Sequence, residues 1–344
     1  MSEEILKKYV CTNPFNYLDI QGNGVYVCCP SWCPTSIGDS KDLNSTIDSK
    51  IAKDIQGSMM DGLYSFCDKK ICPSLSMLIH TGEVSNNFVP IELFKVEEYV
   101  GPEEVLFGFD RSCNLKCPSC RSEVVHNDKI ESDEHNRKLE ILESIETNLS
   151  GSLKKILITG SGDPLFSKIY RDYLLNFDIT QYPKLKAINL ITNGNLLNEK
   201  TWHQMKASPY IKNIEISVDA GKKETYESVT RLNGNWDVLI ENLKFLSTVD
   251  TIDGIIVSMV VGTNNYQEML LFYNLIDDIF KNSKIDLVIS FRQIVYWASG
   301  AYSPLQIREL QCFEKGHDKF EDFLSNLKSI HGKPHVSHNF HHLL

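Results

Sequence analysis

The chain has 344 residues, of which 42% are hydrophobic and 23% are charged; this composition is typical of globular proteins and excludes a largely disordered one. A formal charge of −10 at pH 7 disfavours a general nucleic-acid binder, because such a protein needs a basic face to displace counterions from phosphate. No apolar run reaches the roughly 18 to 20 residues of a membrane helix, and the charged first ten residues do not resemble a secretory signal. We therefore expect a cytoplasmic protein with no membrane partner.

Ten cysteines are many for a chain without an export signal. In a reducing compartment they would not form a disulfide framework, so metal ligation or thiolate chemistry is the leading explanation. Six lie in the first quarter of the chain, three form a tight group, and one stands alone. In chain order they are Cys11, Cys28, Cys29, Cys33, Cys67 and Cys72, then Cys113, Cys117 and Cys120, and finally Cys312.

From about Val105 onward, short apolar runs alternate with helical patterns. The pattern predicts strands at 105–110, 155–159, 187–192, 214–218, 254–261 and 285–290, with helices that include 133–148, 237–246 and 266–279. Apolar strands that alternate with helices indicate a parallel sheet covered by helices. The expected fold is α/β, a partial (β/α)6 TIM-like barrel, although six units also fit an open sheet; in both, the working site lies beyond the carboxyl ends of the strands.

The first hundred residues are irregular and lack the apolar mass for an independent core, so this segment is expected to need a metal staple. We place a boundary near Gly101–Pro102. The expected organisation is a small metal-binding module over 1–100, the barrel over 101–298, and a helical extension with a tail over 299–344.

The three grouped cysteines follow the first predicted strand of the barrel, with three residues between Cys113 and Cys117 and two between Cys117 and Cys120. Tetrahedral zinc needs four ligands, and no fourth cysteine or histidine stands at a suitable spacing. Three thiolates suit a cubane iron–sulfur cluster with one iron left open. This spacing resembles the radical S-adenosylmethionine (radical SAM) superfamily, over roughly residues 105 to 295. A structural zinc loop is the alternative.

The resemblance implies that S-adenosylmethionine (SAM) binds the open iron of a [4Fe-4S] cluster. It also implies that SAM is cleaved reductively to a 5′-deoxyadenosyl radical, which abstracts a substrate hydrogen. Residues at the strand ends that it assigns to SAM are Gly160, Ser161, Gly162, Asp163, Asn193, Ser217, Asp219 and Arg231. The pair Asn193–Gly194 is equally well explained as a turn dipeptide. The chain departs from the family at Asp163, where glutamate is commoner, and at Ser119, where an aromatic residue usually packs on adenine.

The amino-terminal cysteines flank a predicted hairpin at 16–27, whose Gly-Asn-Gly is a strong tight-turn signal. This arrangement resembles the SPASM or twitch auxiliary module of radical SAM enzymes, which normally follows the barrel and here precedes it. The resemblance implies a second, auxiliary [4Fe-4S] cluster. Its expected ligands are Cys11, Cys29, Cys67 and Cys72, with Cys28 or Cys33 as alternates. A zinc-binding loop is the alternative.

The resemblance implies an enzyme that modifies a C–H bond of a ribosomally made peptide by crosslinking, oxidation or epimerisation. A sugar, nucleotide-sugar or amino-sugar dehydrogenase or epimerase is the first alternative, and a non-catalytic metal-binding scaffold is the second. The expected partners are an electron donor such as flavodoxin or ferredoxin and a peptide or small-molecule substrate.

Several further residues have two readings each. Cys312 is a candidate hydrogen-atom donor in an epimerisation, or a packing residue. Arg292, Gln293, Tyr296 and Trp297 follow the sixth strand and are candidates for the substrate pocket or for packing. The late histidines invite a metal-binding reading, but their irregular spacing near a terminus favours a frayed, solvated tail; they are His317, His331, His335, His338, His341 and His342.

Overall fold

The computed structural model describes residues 3–126, 132–159 and 161–344, and the chain folds as two compact units. The first comprises Met1–Asp110, Lys129–Ser161 and Asp178–Ala187. The second comprises Arg111–Asp128, Gly162–Phe177 and Ile188–Leu344. These units are assembled from several stretches of chain, so they differ from the linear segments expected from the sequence.

The first unit contains two sheets. Its strands are β1 (Tyr9–Cys11), β2 (Tyr17–Gln21), β3 (Gly24–Tyr26), β4 (Phe88–Pro90), β5 (Glu104–Gly108) and β6 (Lys155–Ile158). Its α-helices are α1 (Asn13–Asn16), α2 (Leu43–Ile47), α3 (Lys50–Met60), α4 (Pro73–Thr81) and α5 (Asp133–Asn148). Short 3₁₀ turns lie at Glu3–Lys8, Val96–Glu98 and Ile179–Gln181.

The predicted hairpin is present as β2 and β3, and it extends the sheet that contains β5. Strand β2 pairs antiparallel with β3 and parallel with β5, and β5 pairs parallel with β6. Leu18 and Ile20 of β2 are buried, as are Val105 and Phe107 of β5, so apolar burial holds the two strands in register. The amino-terminal segment therefore shares one sheet with the first two strands of the predicted barrel.

The second unit contains the remaining strands of the predicted barrel, and its pairings are parallel. The strands are β7 (Ala187–Thr192), β8 (Ile211–Ser217), β9 (Gly254–Val261), β10 (Asp286–Gln293) and β11 (Val336–His338), which pair in that order. The α-helices are α6 (Lys168–Asn176), α7 (Glu199–Gln204), α8 (Lys223–Thr225), α9 (Trp236–Leu246), α10 (Met269–Phe280), α11 (Pro304–Leu310) and α12 (Phe320–Ile330). A π-helical turn at Tyr226–Thr230 follows α8, and 3₁₀ turns lie at Ser208–Tyr210, Tyr266–Glu268 and His341–Leu343.

The α/β class and the strand–helix alternation of a partial TIM-like barrel are confirmed. All six predicted strands are present as β5 to β10, and α5 spans the predicted 133–148. Serine side chains begin several helices: Ser132 accepts a hydrogen bond from His135 N at the start of α5, and Ser167 accepts one from Tyr170 N at the start of α6. Such caps satisfy backbone donors that have no partner within the helix.

The carboxyl-terminal tail is more ordered than expected. The prediction of a frayed tail is wrong for Val336–His338, because this segment forms β11 and pairs in parallel with β10. His338 is 7% exposed, and its Nε2 lies 3.0 Å from His331 Nδ1. Phe340 is fully buried beside Phe313 and Phe323, and this apolar contact anchors the tail. Within the described ranges, no helix combines the length and apolar character needed to cross a membrane.

Candidate functional site

The three grouped cysteines lie together on one short loop of the second unit. Cys113 N donates to Val125 O over 3.0 Å, and Cys120 N donates to Cys117 O over 2.9 Å, so backbone hydrogen bonds close the loop at both ends. Leu115 is fully buried between the first two cysteines and anchors the loop. Cys113 and Cys117 are buried, whereas Cys120 is partly exposed.

Two arginines balance the charge that thiolates would carry on this loop. Burial raises the pKa of Cys113 to about 11 and also raises the pKa of Cys117, while Arg121 and Arg231 respectively oppose these shifts. Arg231 Nη1 donates to Cys117 Sγ over 3.4 Å, and Arg121 Nη2 approaches Cys120 Sγ at 3.6 Å. The guanidinium groups thus stabilise negative sulfur in a site from which water is largely excluded. Arg121 was not predicted from the sequence, although its position directly after Cys120 was a signal.

Asp163 is fully buried, and both of its carboxylate oxygens are engaged within the protein. Oδ1 accepts from Leu165 N and Phe166 N at 3.0 and 3.2 Å. Oδ2 accepts from Thr192 Oγ1 and Asn193 N at 2.7 and 3.0 Å. The carboxylate therefore ties the loop that starts at Gly162 to the end of β7, and the predicted contact of Asp163 with SAM stays a prediction.

Asn193 connects the end of β7 to the cysteine loop. Its Nδ2 donates to Asn114 Oδ1 over 2.8 Å and lies 3.9 Å from Cys113 Sγ. The following Gly194 has a φ of +78°, a conformation that glycine adopts without steric cost. The positive φ of Gly194 agrees with the turn reading, whereas the predicted contact of Asn193 with SAM stays a prediction.

Asp219 and Arg231 form a buried ion pair at the end of β8. Arg231 Nη2 lies 2.7 Å from Asp219 Oδ2, and Asp219 Oδ1 accepts from Val260 N over 2.7 Å. Asp219 has a φ of +61°, which is unusual for a residue with a side chain. Arg231 Nε is buried and has no hydrogen-bond partner among the described residues. Ser217, on β8, lies with its Oγ 3.5 Å from Ser258 Oγ.

The remaining residues of the glycine-rich loop are placed only in part. Ser161, in the first unit, donates its Oγ hydrogen to Gly108 O over 2.8 Å. Gly162 begins a stretch of the second unit, and Gly160 lies outside the described residues. The predicted contact of these three residues with SAM stays a prediction.

A pocket of the second unit lies beside the cysteine loop and reaches Asp219. It is lined by Pro118, Ser119, Asp219, Val229, Thr230, Val260, Asn264, Asn265, Ile294 and Tyr302. Its lining therefore combines apolar side chains with amide, hydroxyl and carboxylate groups. This combination is common in small-molecule sites, in which a few polar groups fix the orientation of the ligand.

A second cysteine-lined cavity lies within the first unit. The cysteines that line it are Cys11, Cys28, Cys33, Cys67 and Cys72. Cys29 is not among the lining residues; the structure thus places Cys28, rather than Cys29, at the cavity together with three of the four cysteines predicted as ligands. Asn13 Nδ2 donates to Cys28 Sγ over 3.5 Å.

The thiols of this cavity are shielded from water and lie close to one another. Burial raises the pKa of Cys11 and of Cys28 to about 12. A hydrogen bond between Cys33 and Cys67 lowers the pKa of Cys33 and raises that of Cys67. Thiols that are buried together in this way keep their protons unless positive charge is supplied, and an iron–sulfur cluster supplies it. The donor set therefore fits a cluster.

The other candidate residues do not line the pocket beside the cysteine loop. Arg292 makes a bidentate ion pair with Glu215 at 2.6 and 3.1 Å, and Gln293 is hydrogen-bonded to Asn339. Tyr296 and Trp297 are about half exposed, and Cys312 is fully buried. Burial raises the pKa of the Cys312 thiol to about 12. Cys312 does not line the pocket beside the cysteine loop.

Across the described ranges, no three His, Cys, Asp or Glu side chains converge on one point as ligands of a single metal ion do. The cysteines of the loop are nevertheless on one short segment, with two guanidinium groups beside them and a pocket that reaches Ser119. Arg231 Nε adds a buried donor without a partner among the described residues. These features fit a cluster that carries an anionic ligand, since the site supplies positive charge and one spare donor.

Comparison with known proteins places residues 109–276 within the radical SAM superfamily. A GTP 3′,8-cyclase of Clostridium perfringens (strain SM101 / Type A) is 33% identical over 132 residues, which make up 38% of this chain and 39% of that protein. The S-adenosylmethionine-dependent nucleotide dehydratase RSAD2 of Oncorhynchus mykiss is 28% identical over 137 residues, 39% of this chain and 36% of that protein. This chain thus spans less than half the length of these curated relatives.

Among solved structures, the crystal structure of Streptococcus suis SuiB resembles this chain with a TM-score of 0.44 and 14% sequence identity. The similarity covers 83% of this chain and 63% of that one. The superfamily expected from the cysteine spacing is confirmed by the family match over residues 109–276.

Proposed function

The chain carries a radical SAM domain over residues 109–276, and from this premise we propose that it is an enzyme that cleaves SAM reductively at a [4Fe-4S] cluster. When bound, the cluster and SAM supply a 5′-deoxyadenosyl radical that takes a hydrogen atom from the substrate. The observation that carries the proposal is the single loop that holds Cys113, Cys117 and Cys120 beside the Arg231 guanidinium.

Different residues of the second unit hold the cluster and SAM. The three thiolates hold the cluster, and Arg121 and Arg231 offset their charge where water is scarce. Arg231 Nε is the donor that we assign to the methionine carboxylate, because it is buried and has no partner among the described residues. Asp219 holds the guanidinium in position.

Anaerobic reconstitution with iron and sulfide tests this proposal. We expect the wild-type chain to gain charge-transfer absorption, to bind SAM, and to release 5′-deoxyadenosine when a reductant such as dithionite is added. The variant Cys113→Ala, Cys117→Ala, Cys120→Ala should lose SAM binding and 5′-deoxyadenosine, whereas Cys312→Ala is the matched control for loss of a thiol outside both groups. A chain that takes up only zinc and shows no visible absorption contradicts the proposal.

We also propose that the cavity of the first unit binds an auxiliary [4Fe-4S] cluster. Five cysteines line this cavity, and a cubane needs four. We assign Cys11, Cys28, Cys67 and Cys72 as ligands, because Asn13 donates to Cys28 Sγ as neighbours of cluster sulfurs commonly do. Cys33, hydrogen-bonded to Cys67, is the fifth thiol. Cys29 replaces none of them.

Iron counting on single variants tests the ligand set. Two cubanes give about eight irons per chain and one gives about four. We expect Cys11→Ala, Cys28→Ala, Cys67→Ala and Cys72→Ala each to lose the second cluster, and Cys29→Ala to keep it. Loss of the cluster in Cys29→Ala but not in Cys28→Ala would reverse the assignment. A triple variant of the radical SAM loop that retains no iron would contradict the second cluster altogether.

For the substrate, we propose the C–H bond of a ribosomally made peptide, modified by crosslinking, oxidation or epimerisation. The cysteine-lined cavity supports this choice, because radical SAM enzymes with an auxiliary cluster mostly act on peptides, proteins or sugars. A nucleotide or nucleotide-sugar is the second candidate, since the two curated relatives are named as a GTP cyclase and a nucleotide dehydratase. A flavodoxin or ferredoxin is the proposed electron donor.

The two substrate classes are distinguished by offering each to the reduced holoenzyme. A short precursor peptide encoded next to this chain's gene and a panel of nucleoside triphosphates and nucleotide-sugars are the probes. We expect 5′-deoxyadenosine to rise above the substrate-free rate with the peptide alone. A crosslink or an oxidation changes the mass of the peptide, and an epimerisation, which leaves the mass unchanged in H2O, incorporates deuterium when the reaction is run in D2O. A mass change in a nucleotide instead would replace the peptide proposal and leave the SAM cleavage proposal intact.

A further inference from the structure

The segment that follows β10 lies directly against the cysteine loop of the second unit. Ser299 Oγ donates to Cys120 O over 2.9 Å, and Ala301 N donates to Pro118 O over 2.8 Å. At Gly300, an added Cβ would lie 3.0 Å from Ser119 O, so the two backbones approach as closely as a glycine allows. Residues 294–302, which we call the strap, are therefore attached to the loop at the position of Ser119.

Ser119 is one of the two positions at which this chain departs from the family that it resembles. A serine hydroxyl offers no flat apolar surface, so it cannot pack against a purine base as an aromatic ring does. The strap ends at Tyr302, which is half-buried and lines the same pocket as Ser119. Among the described residues that line this pocket, Tyr302 is the only aromatic one.

The composition of the pocket also matches a purine. Val229, Val260 and Ile294 contribute apolar side chains to its lining, and two asparagines border it. The Asn265 amide is already used, because it donates to Asp219 O and Val260 O and accepts from Gly262 N. Asn264 brings a second amide, with a donor and an acceptor, which is the pair that complements the amino group and ring nitrogen of adenine.

We propose that Tyr302, held in place by the strap, packs on the adenine of SAM in place of the aromatic residue missing at Ser119, and that Asn264 contacts the edge of the base. This inference rests on the proposed binding of SAM. It assigns part of the SAM site to a carboxyl-terminal segment that lies beyond the residues 109–276 matched by the superfamily.

The affinity of the reconstituted chain for SAM tests the proposal without reference to turnover. Equilibrium dialysis under anaerobic conditions gives the Kd for SAM, and iron content and circular dichroism show that each variant is loaded and folded. We expect Tyr302→Ala to raise the Kd about tenfold, which is within the range of a lost base–aromatic contact. We expect Tyr302→Phe to bind within about twofold of wild type, because the ring is kept.

Two further variants separate adenine packing from a general structural effect. Tyr296→Ala removes an exposed tyrosine from the same strap and should leave the Kd for SAM unchanged. Adding Ser119→Phe to Tyr302→Ala should restore affinity, because it returns a ring to the usual position; a destabilised strap would not be rescued in this way.

The outcomes also separate this inference from the proposed function. If Tyr302→Ala, with a full complement of iron, binds SAM as wild type does, the adenine assignment is overturned while the radical SAM proposal stands. If wild type itself holds the cluster but does not bind SAM, the proposed function fails first. Binding of methionine, detected by a change in the electron paramagnetic resonance spectrum of the reduced cluster, should be the same in wild type and Tyr302→Ala, since methionine carries no adenine.

Discussion

Arg231 and Asp219 form an ion pair of 2.7 Å in which the two side chains are only 12% and 6% exposed. The same guanidinium also donates to Cys117 Sγ. One arginine therefore connects the end of β8 to the cysteine loop, and it places its charge between a carboxylate and a thiol. Burial raises the pKa of Asp219, while Arg231 opposes that shift. The pair depends on both partners, because either charge alone would be buried without compensation.

Removing one partner of this pair should lower the free energy of unfolding by more than removing both partners does. We expect Asp219→Asn and Arg231→Met each to lower the free energy of unfolding by about 3 kcal/mol, because each leaves a buried charge unpaired. The double variant should lose less than the sum. Urea unfolding of the metal-free chain measures these values, and strict additivity would show that the two groups do not interact. Lys223→Ala, in an exposed pair with Asp237, is the control and should change stability by less than about 1 kcal/mol.

Asp163→Asn should lower stability and weaken SAM binding. In this variant an amide nitrogen would replace one of the two carboxylate oxygens. In place of Oδ1 it would face two N–H donors, and in place of Oδ2 it would face the Thr192 hydroxyl and the Asn193 N–H. We expect a loss of about 2 kcal/mol in the free energy of unfolding, which is typical when buried donors lose their acceptor. Thermal unfolding and SAM dialysis measure both effects. Asp172→Asn on α6, at a partly exposed ion pair with Lys168, is the matched control, and equal effects of the two changes would rule out a positioning role for Asp163.

Stability should fall as the pH is lowered from about 6.5 toward 4, in part because of His338. Burial, reinforced by His341 and His331, lowers the pKa of His338 to about 4 from an ordinary value of 6.5. The unfolded chain therefore binds a proton in this window that the folded chain does not, so folding becomes less favourable as the pH falls. In keeping with a neutral ring, His338 Nδ1 accepts from Phe340 N over 3.3 Å.

The test is the melting temperature of wild type and of His338→Gln between pH 4 and 7. We expect a shallower fall for the variant, because the titrating ring is gone. His203→Gln, at a largely exposed histidine, should keep the wild-type profile. Parallel profiles for wild type and His338→Gln would exclude His338 as a source of the pH dependence.

Two glycine-to-alanine changes should have contrasting effects: one should weaken the binding of SAM, and the other should stabilise the fold. At Gly300 a Cβ would press on Ser119 O and Pro118 O, which are backbone atoms of the cysteine loop, so Gly300→Ala should shift the strap and raise the Kd for SAM severalfold. Gly57 lies inside α3, and a Cβ there would meet nothing within 4 Å. Gly57→Ala should therefore stabilise the chain by about 0.5 to 1 kcal/mol. Dialysis and thermal unfolding of both variants check the contrast; a Gly300→Ala chain with unchanged affinity would show that the close approach is not needed.

The features of this protein that depend on local spacing along the chain could be predicted from its sequence. The six barrel strands and α5 follow from apolar periodicity, which needs only neighbouring residues to be read. The grouping of Cys113, Cys117 and Cys120 was equally clear, because their spacing within eight consecutive residues can be read directly from the sequence. These two local patterns were enough to predict the α/β class and the superfamily.

The contacts between side chains that are far apart in the sequence depend on the tertiary structure and could not be predicted. Cys28 and Cys29 are adjacent in sequence, yet only Cys28 lines the cavity with Cys67 and Cys72, because the side chains of adjacent residues leave the backbone in different directions. Asp163 is a motif residue in the sequence, whereas in the fold its carboxylate is used up by four protein donors. Tyr302 reaches the pocket of Ser119 from a strap that follows β10. The packing of strands and loops brings these residues together, and no pattern of spacing along the chain predicts such contacts.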